Sequence, residues 1–105
     1  MSERQRREEE GGVKTAPKAK VDKPPLYKVV FHNDNYTPME FVVYVLESIF
    51  RHSTASATRI MIRIHQSGVG VAGVYSREVA ETRVEKTLLL AAEHGHPLQV
   101  TMEPE

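Results

Sequence analysis

Asn33, Asp34 and Asn35 form a run of short polar side chains directly after the apolar stretch Val29-Val30-Phe31. Their oxygens accept hydrogen bonds, the two amides also donate, and the carboxylate carries a charge. One such residue ahead of a helix is ordinary punctuation, but three in succession exceed what a turn needs. The residues that follow read as a helix start, with Thr37 as N-cap, Pro38 at the first helical position and Glu40 at the third. That pattern is a capping box, with the cap alone worth roughly 1 kcal/mol. Tyr36 and Phe41 are spaced as a hydrophobic staple across it. Capping uses Thr37 and Glu40 and leaves the polar run over, as a candidate binding rim.

His65 is the second unusual residue. It follows Ala57 and Met61 at helical spacing, on a stripe that should face the core. One reading is a half-buried imidazole bonded to a backbone carbonyl. The other is a ligand-facing donor or acceptor at the edge of a pocket, since neutral imidazole can do either job. His94 and His96 flank Gly95 without a third ligand, which makes a poor metal site. His32 and His52 read as surface positions. No nucleophile elbow and no phosphate loop is present. Glu78, Glu81 and Glu85 follow one another along a helix as a solvated face, so no catalytic set emerges and an enzyme is not expected.

The elements that must position these residues follow from periodicity. Tyr27 to His32 is β-rich and reads as a first strand. From Met39 to Phe50, Val42, Val45, Leu46, Ile49 and Phe50 recur at helical spacing. After a polar joint, Arg51 to Thr54, Ser53 or Thr54 caps a second helix carrying Ala57, Ile60, Met61, Ile64 and His65, which Gly68 closes. Val69 to Tyr75 suits a strand with glycines where backbones approach. Ser76 caps a third helix whose apolar line runs through Ala80, Val84, Leu88 and Ala91, and Gly95 with Pro97 ends it. Leu98 to Met102 is the last strand. The order β-α-α-β-α-β predicts an α/β domain, a small three-stranded antiparallel sheet covered by three helices.

Composition limits the function classes. Residues 1–25 hold a mixed charge run and a Lys/Ala/Pro stretch with no aromatic residue. They read as a disordered tail, either an inert extension or a tether, and residues 26–105 as the domain. The whole chain has 14 Lys+Arg against 14 Asp+Glu, and the part after the tail has 7 against 9, the wrong sign for nucleic acid. With no cysteine, neither disulfides nor thiolate metal sites are available. No apolar run approaches a membrane span, and the expectation is a soluble cytoplasmic protein without cofactor.

The segment Asn33-Asp34-Asn35-Tyr36-Thr37-Pro38-Met39-Glu40-Phe41-Val42, the Met61 to His65 stretch, Gly73-Val74-Tyr75, Val79-Ala80-Glu81-Thr82 and His96-Pro97-Leu98 together resemble the ClpS family. These are small bacterial and plastid adaptors of the Clp AAA+ unfoldase and protease. The resemblance runs from Tyr27 to Glu103. It implies a compact α/β fold that binds proteins through a destabilising N-terminal residue, an N-degron, and delivers them for degradation.

Carried over by position, the resemblance implies that Asn33, Asp34, Asn35 and His65 hold the free α-amine. Charge-assisted bonds of this kind are worth roughly 1.5–3 kcal/mol each. It implies that Thr37, Met39, Val42, Met61, Ile64 and Leu98 line a socket for the first side chain, Leu, Phe, Tyr or Trp, with Met39 as a gate. Such a socket adds roughly 1.5–3 kcal/mol, giving an affinity on the order of micromolar or tighter. Glu78, Glu81 and Arg83 match charged positions that meet the N-terminal domain of a ClpA-like unfoldase, although solvent exposure alone would also explain them. The tail gains a part in delivery, and the chain is expected to act as a monomer. The family usually has Asp where this chain has Asn35, which implies weaker amine binding or a narrower set of accepted N-termini. The competing expectation is a structural or assembly domain that binds no peptide.

Overall fold

The computed structural model describes residues 23–105, so the expected tail lies almost wholly outside the described residues. Strand β1 (Tyr27–His32) leads into helix α1 (Met39–Ser48) and helix α2 (Thr54–Ser67). Strand β2 (Val69–Tyr75), helix α3 (Arg77–Glu93) and strand β3 (Gln99–Pro104) complete the domain. The order is the expected β-α-α-β-α-β. The three strands form one sheet in the order β2-β1-β3, with both pairings antiparallel.

The helices cover one face of the sheet. Val29 and Phe31 of β1, Ala72 of β2 and Val100 of β3 point into the core, where they join Phe41, Val42, Val45, Leu46, Ala57, Ile64, Ala80 and Ala91. Phe31 meets Phe50 edge to face at 5.5 Å, the arrangement that the ring quadrupoles favour. The opposite face carries Val30 and His32 with their cross-strand neighbours Val71, Val69, Thr101 and Gln99, and among the described residues no helix lies over it. A bulge between Val29 and Val30 shifts the β1–β2 register. It leaves the Ala72 carbonyl to a partner outside the ladder, the Nε2 of His52. His52 is thus a half-buried structural residue and not the surface position its sequence context suggested.

Helix ends follow local chemistry. Ser53 accepts from the Ser56 amide and Ser76 from the Val79 amide, as N-caps do. Gly68 closes α2 at φ 90°, in the left-handed region that glycine enters without cost. On α3 the centre of the buried line is Thr87, with no exposed surface, while Leu88 is 40 % exposed. The expected apolar line through Leu88 is therefore corrected. Thr87 can be buried because its hydroxyl donates to the Arg83 carbonyl one turn back, at 2.7 Å. The two ends of the described chain also meet: the Glu105 amide donates to the Leu26 carbonyl at 2.9 Å.

Candidate functional site

The loop between β1 and α1 is built around one carboxylate. Asp34 Oδ1 accepts from the amides of Tyr36 and Thr37, at 2.8 and 2.7 Å, and Oδ2 accepts from the Thr37 hydroxyl at 2.8 Å. These bonds use three of the roughly four acceptor positions of a carboxylate, which leaves one. Partial burial pushes the Asp34 carboxyl up, but the Tyr36 amide, the Thr37 hydroxyl and the Thr37 amide together outweigh it, with His96 acting the same way. The net result is a pKa below the ordinary 3.8.

This geometry corrects the capping box. Thr37 turns its hydroxyl back to Asp34, and the helix begins one residue later, with Pro38 in the cap position and no side-chain cap. Pro38 still serves the helix, because its carbonyl accepts from the amides of Phe41 and Val42. The staple is corrected too. Tyr36 is 79 % exposed, while Phe41 is buried against the rings of His96 and His94, at 4.6 and 5.5 Å.

The remaining polar residues of the run face solvent. Asn33 and Asn35 are exposed, and their side chains have no hydrogen-bond partner among the described residues. The Asn33 amide donates to the Gly68 carbonyl at 2.9 Å, which ties the loop to the end of α2. His65 lies on that last turn of α2 and is exposed. It is not the half-buried, carbonyl-bonded histidine of the first reading.

Beneath this rim lies a small cavity of about 20 Å³ lined by His32, Asn33, Asp34, Thr37, Val42, Ile64 and Leu98. Five separate parts of the chain therefore meet there: the end of β1, the loop, α1, α2 and the segment before β3. Val42, Ile64 and Leu98 are buried and give it an apolar floor. Among the residues expected at the socket, Met39 and Met61 do not line it. Met39 is 46 % exposed on the first turn of α1, and Met61 is partly buried against the core. Sequence reasoning missed His32, whose Nε2 lies 2.8 Å from Thr101 Oγ1 across the sheet. Its position next to Asn33, at the end of a strand, was the available signal.

Gly70 fixes the far wall. A Cβ built there would lie 2.6 Å from Ile64 Cγ1 and 3.4 Å from the Ile60 carbonyl. Gly70→Ala should force Ile64 toward the cavity, with an overpacking cost of about 1–2 kcal/mol. The expected outcome is a lower melting temperature together with roughly tenfold weaker binding of any ligand seated on Ile64. Unchanged affinity in a fluorescence titration would place the ligand elsewhere.

The charged residues expected on α3 are divided. Glu78 and Arg83 line a second cavity of about 350 Å³, between the end of α1 and the start of α3, together with Arg51, Val79 and Lys86. Arg83 is largely committed to the fold, since it donates to the Ile49 carbonyl and covers the Tyr75 ring at 4.8 Å. Burial raises the Tyr75 hydroxyl above its ordinary 10.0, and the Arg83 charge opposes that shift. Glu81 pairs with Arg77 at 3.4 Å on the open surface. Among the described residues no three His, Asp or Glu side chains gather as a metal site, and no helix is long and apolar enough to cross a membrane.

Comparison with known proteins gives the same picture over most of the chain. The family model described as ATP-dependent Clp protease adaptor protein ClpS matches residues 22–101. An ATP-dependent Clp protease adapter protein ClpS from Phenylobacterium zucineum is 54 % identical over 107 residues, covering 98 % of each chain. One from Caulobacter vibrioides is 59 % identical over 91 residues, covering 87 % of this chain and 84 % of that one. Among solved structures, Agrobacterium tumefaciens ClpS2 bound to L-phenylalaninamide matches with a TM-score of 0.77 and 44 % identity. That match covers 79 % of this chain and all of the other. The chain belongs to the ClpS family of ATP-dependent Clp protease adaptors.

Proposed function

We propose that this chain binds the N-terminus of protein substrates and delivers them to a Clp AAA+ unfoldase of the ClpA type. The rim of Asn33, Asp34, Asn35 and His65 takes the free α-amine. The first side chain enters the socket over Val42, Ile64 and Leu98, with Thr37 at its wall. The convergence of Asn33, Asp34 and Thr37 with an apolar floor on one cavity carries this reading. The ligand of the related structure has the matching chemistry, a free amine and a benzyl side chain with an amide in place of the first peptide bond.

The cavity as it stands, about 20 Å³, has room for about one water molecule and not for a leucine or phenylalanine side chain. Opening it requires neighbours that change rotamer cheaply. Met39 and Met61 are unbranched and polarisable, and they are the side chains suited to that task. Met39 acts as the gate. The surface around Glu78, with Glu81 and Arg83 beside it, meets the N-terminal domain of the unfoldase, and the chain works as a monomer without cofactor.

Titration with two peptides that differ only in the first residue tests the socket. A Phe-initiated peptide should bind roughly tenfold or more tightly than its Ala-initiated counterpart, since burying the ring adds about 1.5–3 kcal/mol. Equal affinities would remove the socket from the mechanism. Asn35→Asp restores a second rim charge and should tighten the Phe-initiated peptide severalfold, by an exposed and screened interaction. No change in affinity or preference would show that position 35 does not reach the amine.

A further inference from the structure

A larger groove, of about 580 Å³, runs between α2 and the outer edge of β2, and its walls include Ser56, Arg59, Arg63, Val69 and Val71. It lies away from the amine rim. Arg63 and His65 project about 200° apart around α2, as do Arg59 and Met61. Three observations define what the groove can hold. First, β2 is an edge strand in the order β2-β1-β3, so its outer backbone groups have no strand partner among the described residues. His52 takes the Ala72 carbonyl and closes the edge at the bulge, which leaves the stretch from Val69 to Val71.

Second, Val69 and Val71 are 45 % and 42 % exposed and form an apolar strip along that edge. Third, Arg59 and Arg63 are exposed, and no carboxylate lies within ion-pair distance of either among the described residues, where the ion pair is Arg77–Glu81. Four residues of helix rise about 6 Å, and two residues of strand rise about 6.6 Å. The two guanidiniums are therefore spaced to meet alternate side chains of an extended segment.

We propose that this groove binds an extended acidic segment of a partner protein, which adds to β2 as a fourth strand and sets alternate carboxylates against Arg59 and Arg63. Main-chain bonds along the open edge supply affinity, and the arginine pair supplies the choice of sequence. A second copy of this chain fits badly. Pairing β2 with β2 brings arginines against arginines, and the other edge strand, β3, carries one acidic residue, Glu103. A nucleic acid would satisfy the arginines but leave the strand edge and the valines without partners.

The probe is acetyl-Glu-Val-Glu-Val-Glu-Val-Glu-amide, titrated against the full chain. Its blocked N-terminus keeps the result separate from the amine rim. Saturable binding is expected, with NMR shift changes centred on the amides of Val69, Gly70 and Val71. The double variant Arg59→Glu/Arg63→Glu should weaken it at least tenfold, and Arg59→Gln/Arg63→Gln by less, with circular dichroism unchanged. An excess of Phe-initiated peptide should not compete. The proposal is overturned by absent binding, by equal binding of the Lys-Val analogue, or by shift changes elsewhere. Competition from the Phe-initiated peptide would overturn it too, as would a short oligonucleotide binding through these arginines when the acidic peptide does not.

Discussion

Acetylating the α-amine of a Phe-initiated peptide is expected to weaken its binding to this chain by roughly a hundredfold or more, because at least two charge-assisted bonds of about 1.5–3 kcal/mol are lost together. Acetylation removes the positive charge and two of three donors while leaving the side chain untouched. On the proposed rim, the acceptors that lose their partner can be named. They are the free position on Asp34 and the exposed side chains of Asn33, Asn35 and His65. His65 is exposed, so His65→Ala alone should cost less than acetylation does. Isothermal titration of the free and blocked peptides measures the difference. If the blocked peptide binds as well as the free one, the rim does not hold the amine, and if neither binds, the assembly-domain reading takes the place of the adaptor reading.

Asp34→Ala is expected to have an effect of similar size by a different route. The carboxylate supplies the rim charge and also holds the loop through the amides of Tyr36 and Thr37 and the Thr37 hydroxyl. Its removal leaves those groups to solvent, at a stability cost of about 1–2 kcal/mol, and frees the segment that presents Asn33, Asn35 and Thr37. Peptide affinity should fall about a hundredfold, from lost charge and lost order together. Asp34→Asn separates the two. An amide keeps the oxygen that the backbone amides need, and its NH2 can donate to the Thr37 hydroxyl, so the loop should stand while the charge and the free acceptor position are missing.

The pH dependence has a definite sign. The folded carboxyl titrates below the ordinary 3.8, so its stabilising contribution is complete above that value. It is lost as pH falls through the lower, folded pKa. Thermal unfolding of the wild type should lose this contribution progressively as pH falls from 3.8 through the lower, folded pKa, and Asp34→Asn should remove that dependence. A wild-type profile already falling near neutral pH for this group would contradict the bonding around it.

Most of the fold was legible because periodicity and punctuation agreed. β1 and β2 begin and end where their residue types change, and Ser53, Gly68, Ser76 and Gly95 mark the helix ends. The errors arose where a side chain had two possible partners. Thr37 is well placed to cap a helix, yet the carboxylate three residues back offered its hydroxyl a charged acceptor. Thr87 was passed over for Leu88 because a polar residue at a core position needs a tertiary view of its hydroxyl. His32 and His52 read as surface since their partners, Thr101 and Ala72, are distant in sequence. The polar run was expected to be surplus as a whole, but its members differ. Asp34 is mostly engaged within the loop, and the two asparagines are exposed.

The contact between Leu26 and Glu105 has a consequence for how the domain can be attached to other things. The chain enters and leaves the sheet side by side, at the end of β1 opposite His32, about 20 Å of strand from the rim. A fusion partner, a surface anchor or a label joined directly at Leu26 or at Glu105 would leave from the same pole and hold the opposite pole outward. The described domain is built like a plug on a single cord, whether Leu26 or Glu105 supplies the cord.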